Sequence, residues 1–196
     1  MPKGLRRVLI SLASYTAFMA LPSPNSTATR IVALGPDAPA LELAHARELL
    51  LEYGHWVKDQ SGAARFCFGT LEREAARLPH SYLEQDGGCL LAYLGAEPAA
   101  FIAWRSIPPT PAVVPLAWEM KRLWVRPVAR GAGLGRILAQ AVLDRAIAAG
   151  RKAVYLDTAP HAMASAHRLY LAMGFTPCPA YNDNPVEGLA YLVRFL

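Results

Sequence analysis

The chain is poor in cysteine, modest in charge, and without an apolar run long enough to cross a bilayer. Its three cysteines, Cys67, Cys89 and Cys178, are odd in number and far apart. That excludes a disulfide framework and a paired-cysteine metal knuckle, and no metal site is expected. Charged residues make up 18 % and hydrophobic ones 54 %. This is an ordinary, slightly apolar globular mixture with enough material for a core. The longest apolar stretch, Val8 to Leu21, has about fourteen residues, fewer than the roughly 20 that a spanning helix needs. Acidic residues are in the minority, 15 against 20 basic, for a net charge of +5. Such a surplus suits an anionic partner. Aromatic and basic residues are not interleaved, and zinc-finger and RNP-like patterns are missing, so nucleic acid is not the expected partner.

The first 28 residues stand apart. A basic start (Lys3, Arg6, Arg7) precedes the apolar stretch, and a Pro/Ser/Asn/Thr segment follows it. That order is like a secretory signal, but Ser11, Ser14 and Thr16 interrupt it and no clean cleavage site follows. A disordered extension or a start placed too early are the other readings. Residues 29–196 form the expected domain.

Within that domain the pattern predicts β-α-α-β-β-β-α-β-α-β-β. Arg30–Leu34 is a short strand. Residues 35–60 carry apolar positions at helical spacing (Leu41, Ala44, Leu49, Val57), and residues 69–79 form a second helix. The segment 80–88 reads as a polar connection. Cys89–Leu94 and Ala99–Ile107 form a hairpin around Gly95–Pro98. Leu116–Pro127 is a strand with apolar residues at Met120, Leu123 and Val125. The clearest helix begins at Leu134 and stops at Gly150. A strand at Lys152–Thr158, a helix ending at Gly174, a strand from Phe175 and a closing strand at Leu189–Leu196 complete a mixed α/β sheet with helices on its faces.

One loop carries the chemistry. Arg130-Gly131-Ala132-Gly133-Leu134-Gly135-Arg136 joins a strand to a helix. A helix N-terminus leaves main-chain N–H groups unpaired and carries partial positive charge. Bare glycines let an anion approach those groups, and two arginines add donors suited to phosphate. The loop is not a P-loop, because Arg136-Ile137 stands where Lys-Ser/Thr is needed. Nor is it a dinucleotide fingerprint, because its spacing is G-x-G-x-G.

Three stretches together resemble the GCN5-related N-acetyltransferase (GNAT) superfamily. They are the Arg130–Gly135 motif, the strand "EMKRLWVRP" before it, and "AHRLYLAMGF", with a tyrosine four residues before Gly-Phe. The resemblance covers about Arg30 to Leu196. It implies a GNAT fold and direct transfer of acetyl from acetyl-CoA to an amine, on a small molecule or an exposed peptide amino group. It places the cofactor pyrophosphate on the amides of Arg130, Gly131, Ala132, Gly133, Leu134, Gly135 and Arg136. It places the pantetheine arm along Leu123, Trp124 and Val125, and the general acid at Tyr170. Tyrosine stays protonated at neutral pH and can donate to a leaving thiolate.

Glu119 is the first candidate base and Asp157 the second. His161 and His167 read as surface residues, and Lys121 and Arg122 as solvated cations. Tyr181, Asn182 and Asn184, in a Tyr-x-x-Asn-Pro turn before the closing strand, either line the acceptor pocket or simply build the turn. The same features also suit a non-catalytic acyl-CoA-binding module. A cofactor found inside cells implies a cytoplasmic protein without a membrane partner, and closing strands in such folds often build homodimers.

Overall fold

The computed structural model describes residues 28–61 and 68–196. The extension expected over residues 1–28 falls outside them, apart from Ala28, and so does Cys67.

Among the described residues, seven strands form one sheet in the order β1-β2-β3-β4-β5-β7-β6. They are β1 (Thr29–Ala33), β2 (Gly88–Leu94), β3 (Glu97–Ile107), β4 (Ala117–Val125), β5 (Ala153–Thr158), β6 (Thr176–Pro177) and β7 (Ala190–Phe195). Only β4 and β5 run parallel; every other neighbouring pair is antiparallel. The helices are α1 (Ala40–Ser61), α2 (Phe68–Ala76), α3 (His80–Leu83), α4 (Leu134–Ala148) and α5 (Ala164–Ala172), with a 3-10 turn at Pro127–Ala129. The fold is the expected mixed sheet with helices on both faces, and among the described residues no helix is long and apolar enough to cross a membrane.

The two faces hold separate cores. On one, Leu138, Ala139, Val142 and Leu143 of α4 pack with Tyr170, Met173 and Phe175 against Leu90, Ile102, Met120 and Leu156 of the sheet. On the other, Ala46, Leu49 and Leu50 of α1 join Leu71, Leu78 and Tyr82 against Leu91, Phe101 and Trp124. β2 alternates between the two along Cys89–Tyr93 and β3 along Ala100–Trp104, as period-2 geometry requires.

Three expectations need correction. The connection over 80–88 contains a one-turn helix, because Tyr82 turns inward and is 2 % exposed. The hairpin turn is two residues long, with Leu94 opposite Glu97 and Gly95 at φ 64°, so Pro98 already pairs with Tyr93. The apolar stripe of α1 starts later than its first turn suggested: Leu41 is 66 % exposed, whereas Ala46, Leu49 and Leu50 are fully buried.

Candidate active site

A bulge in β4 shapes the site. Phe101 pairs with Trp124 and Ala103 with Lys121, so Arg122 and Leu123 together oppose Ile102. Arg122 takes φ 59°, a left-handed conformation that costs a non-glycine residue about 1 kcal/mol. The extra residue reverses which face each side chain meets. Trp118 and Met120 reach the α4 side, and after the bulge Leu123 and Val125 do so again, while Trp124 joins the α1 side.

β4 and β5 pair only from Ala117↔Ala153 to Glu119↔Tyr155. Beyond that they part. The opening holds a cavity of about 600 Å³. Its walls come from Leu123, Trp124 and Val125 of β4, Arg130, Gly131 and residues 133–136 of the loop (Ala132 stands outside the lining), and residues 162–166 at the start of α5, with Tyr53 and Trp56 of α1 closing one side.

The glycine loop stands at the mouth of this cavity. Gly131 and Gly133 have φ 87° and 77°, and a methyl group added to either would meet nothing within 4 Å. Gly133 caps α4 without any side-chain hydrogen bond. Among the described residues, the amides of Gly131, Ala132 and Gly133 donate to no protein acceptor. Leu134, Gly135 and Arg136 follow in the first turn of α4, where N–H groups lack intrahelical partners. Arg136 is exposed. Arg130 lies back over the Trp124 ring, 5.3 Å from its centroid, and its Nε donates to the Val125 carbonyl at 3.2 Å. The residues expected to hold a diphosphate and a pantetheine arm therefore share one cleft, with free main-chain donors at its polar end. This chemistry fits coenzyme A.

Tyr170 is 6 % exposed and packs edge-on against Phe175, ring centroids 5.7 Å apart. Its hydroxyl has no hydrogen-bond partner among the described residues. Burial raises its pKa above the ordinary tyrosine value, and Tyr53 and Asp157 push the same way. It remains a proton donor throughout the neutral range.

Glu119 is at the centre of a polar hub. It is 1 % exposed. Arg105 Nε reaches its Oε2 at 2.8 Å, and Oε1 receives Lys121 Nζ at 3.1 Å, the Tyr181 hydroxyl at 3.2 Å and Asn182 Nδ2 at 3.4 Å. Burial alone would raise its pKa, but Lys121 and Arg105 overcome that and hold it below the usual carboxylate value. Asp157 Oδ2 accepts from Asn182 at 3.0 Å and Asn184 at 3.1 Å. The turn at 181–184 is thereby tied to both carboxylates. Lys121 and Arg122, expected as solvated cations, are instead paired: Lys121 with Glu119, and Arg122 with Glu74 through two contacts of 3.1 Å. His161 is exposed beside Gly188 and His167 is half-buried on α5. Among the described residues, no group of three or more His, Cys, Asp or Glu side chains could hold a metal ion.

The acetyltransferase (GNAT) family pattern matches residues 46–175. That stretch contains the bulged strand, the glycine loop and Tyr170. The chain belongs to the GNAT acetyltransferase family. An uncharacterized N-acetyltransferase of Schizosaccharomyces pombe is 36 % identical over 74 residues, covering 38 % of this chain and 45 % of that protein. The chain thus spans less than half the length of the curated relatives it matches. Among solved structures, an acetyltransferase of the GNAT family from Staphylococcus aureus Mu50 superposes with a TM-score of 0.65 at 16 % identity, covering 86 % of this chain and 99 % of that one. An N-acetyltransferase of Thermoplasma acidophilum, solved in complex with coenzyme A, superposes with a TM-score of 0.61 at 16 % identity, covering 86 % and 99 %.

Within this GNAT frame, sequence reasoning missed Arg105, Glu74, Tyr53 and Trp56. Their partners are set by tertiary pairing, Arg105 with Glu119 across neighbouring strands and the others with residues of distant elements, and no local spacing announces them. The bulge did leave a trace: Met120 and Leu123 share a face at a spacing of three, which a regular strand cannot do.

Proposed function

We propose that the protein transfers the acetyl group of acetyl-CoA directly to a primary amine, on a small molecule or an exposed peptide amino group, in the cytoplasm. The observation that carries this reading is the run of unpaired amides at Gly131, Ala132 and Gly133, in a loop whose two glycines line a cleft between diverging strands. Those amides, with Leu134, Gly135, Arg130 and Arg136, would hold the diphosphate. Leu123, Trp124 and Val125 would line the pantetheine arm. A similar fold solved with coenzyme A supports the choice of ligand.

When bound, acetyl-CoA supplies a thioester carbonyl open to a nucleophile. The neutral amine forms the new C–N bond there as the C–S bond breaks. Tyr170 gives its proton to the departing thiolate sulfur. The proton lost by the amine passes to the carboxylates at the other side of the strand. Glu119 and Asp157 are joined there through Asn182, and Asp157 is the half-exposed member. Among the described residues, neither Cys89, which is buried, nor Cys178 lines the cleft, and the transfer is read as direct.

The deciding experiment follows free-thiol release from acetyl-CoA over a panel of primary amines, with the acetylated amine identified by mass spectrometry. Amine-dependent release is expected. Tight coenzyme A binding without release by any amine would leave an acyl-CoA-binding module.

A further inference from the structure

A second cavity, of about 510 Å³, opens on the α2 and α3 side of the same stretch of β4. Consecutive residues of the strand divide the two: Lys121 and Arg122 line this one, and Leu123, Trp124 and Val125 line the cofactor cleft. Five cationic side chains face it, Arg73, Arg77, Arg105, Lys121 and Arg122, against the carboxylates Glu74 and Glu84.

The pairing is uneven. Arg122 takes Glu74, and Arg77 takes Glu84 at 2.6 Å. Arg105 and Lys121 share one carboxylate, the buried Glu119. Arg73 reaches only the Thr70 hydroxyl, at 3.3 Å, and makes no ion pair among the described residues. Glu119 thus fixes two cations in place while neutralising one charge between them. Arg105 also gives Nη1 to Gln85 Oε1 at 3.3 Å and keeps 35 % of its side chain exposed, which leaves Nη2 as the donor for the cavity. A guanidinium fixed in this way in a half-enclosed site is suited to an anionic oxygen, to which Nη2 gives a charge-assisted hydrogen bond, with Arg73 beside it as the second cation.

We infer that this cavity is the acceptor site and selects an amine that also carries a carboxylate, held by Arg73 and Arg105 while its amino group reaches the bulge of β4. The inference rests on the transfer reading and names its substrate class. An amine without an anionic group would enter a site whose surplus positive charge repels its protonated form.

The test separates binding from turnover. The protein loaded with coenzyme A is titrated calorimetrically with pairs of α-amino acids and their α-carboxamides, drawn from small, polar, aromatic and acidic side chains. At least one acid should bind tenfold or more tightly than its amide. Arg73→Gln and Arg105→Gln should each shrink that ratio toward unity, whereas Arg168→Gln, an exposed arginine on α5, should keep it. Amides that bind as well as acids across the panel, or an absence of binding by every acid, would overturn the inference. Thiol release from acetyl-CoA on the same panel reports the transfer reading separately. Acid preference without release sinks transfer and leaves the anion site; release without acid preference does the reverse.

Discussion

Arg122 on β4 and Glu74 on α2 meet through a fork: Nε and Nη2 of the arginine each lie 3.1 Å from a carboxylate oxygen. The arginine that makes this fork is also the residue held at φ 59° in the bulge. The ion pair and the strained backbone oppose each other in one residue, and substitution separates them. Arg122→Ala loses the pair and keeps the strain; Arg122→Gly loses the pair and relieves it. Urea denaturation should find the alanine variant less stable than the glycine variant by about 1 kcal/mol, the reverse of the usual order inside a strand. Equal stability would mean that the bulge relaxes when the fork is lost.

Alanine at Gly131 or Gly133 meets open space, so the cost to the fold is limited to the positive φ, about 1 kcal/mol. The cost to the ligand is larger, because the new methyl groups stand where a diphosphate would contact the amides. Calorimetric titration with coenzyme A should show at least a tenfold loss of affinity in each variant, with a small change in melting temperature. Unchanged affinity would move the diphosphate elsewhere.

Tyr170→Phe keeps the edge-on ring contact with Phe175 and removes only the hydroxyl. Turnover should fall by about a hundredfold or more, the range for loss of a general acid, while coenzyme A affinity stays within twofold. A variant as fast as the parent would remove Tyr170 from the chemistry and leave it a core residue.

How much of this was legible in the chain depends on range. The glycine loop can be read locally, since the anion-binding capacity proposed for it comes from residues adjacent in sequence. Tyr170 is proposed from its distance to Gly-Phe, which is also a local spacing. The clamp that steadies the cleft wall was not legible in this way: Glu52 of α1 receives the Trp124 indole at 3.0 Å and the Arg126 guanidinium at 2.7 Å, partners more than 70 positions away. Glu119 was singled out as a candidate base, but its ion pair with Arg105 depends on which strands are neighbours. Composition misled at Tyr82, whose polar flanks suggested a loop although the ring fills the α1-side core.

Glu119 also sets an acid limit. Its folded pKa is depressed by Lys121 and Arg105 despite burial, so the unfolded chain binds the proton more readily. The resulting stability is present above the usual carboxylate range and disappears as pH falls through the lower, folded value. Chemical denaturation at stepped pH should show stability dropping below about pH 4.5. Glu119→Gln should flatten that drop and cost about 3 kcal/mol at neutral pH, the lower end for a broken buried pair because Arg105 is partly solvated. A slope unchanged by the substitution would assign acid sensitivity to other carboxylates.

The supernumerary residue in β4 acts as a change of phase. Upstream of it the strand's odd and even positions serve one assignment of rooms, and downstream they serve the other. Deleting residue 122 would restore a regular strand in which Leu123, Val125 and Trp124 keep their present sides, so the loss would be the bend of β4 and the fork to Glu74. Descendants of this chain can therefore lose the extra residue without exchanging the two rooms, but not without straightening the partition between them.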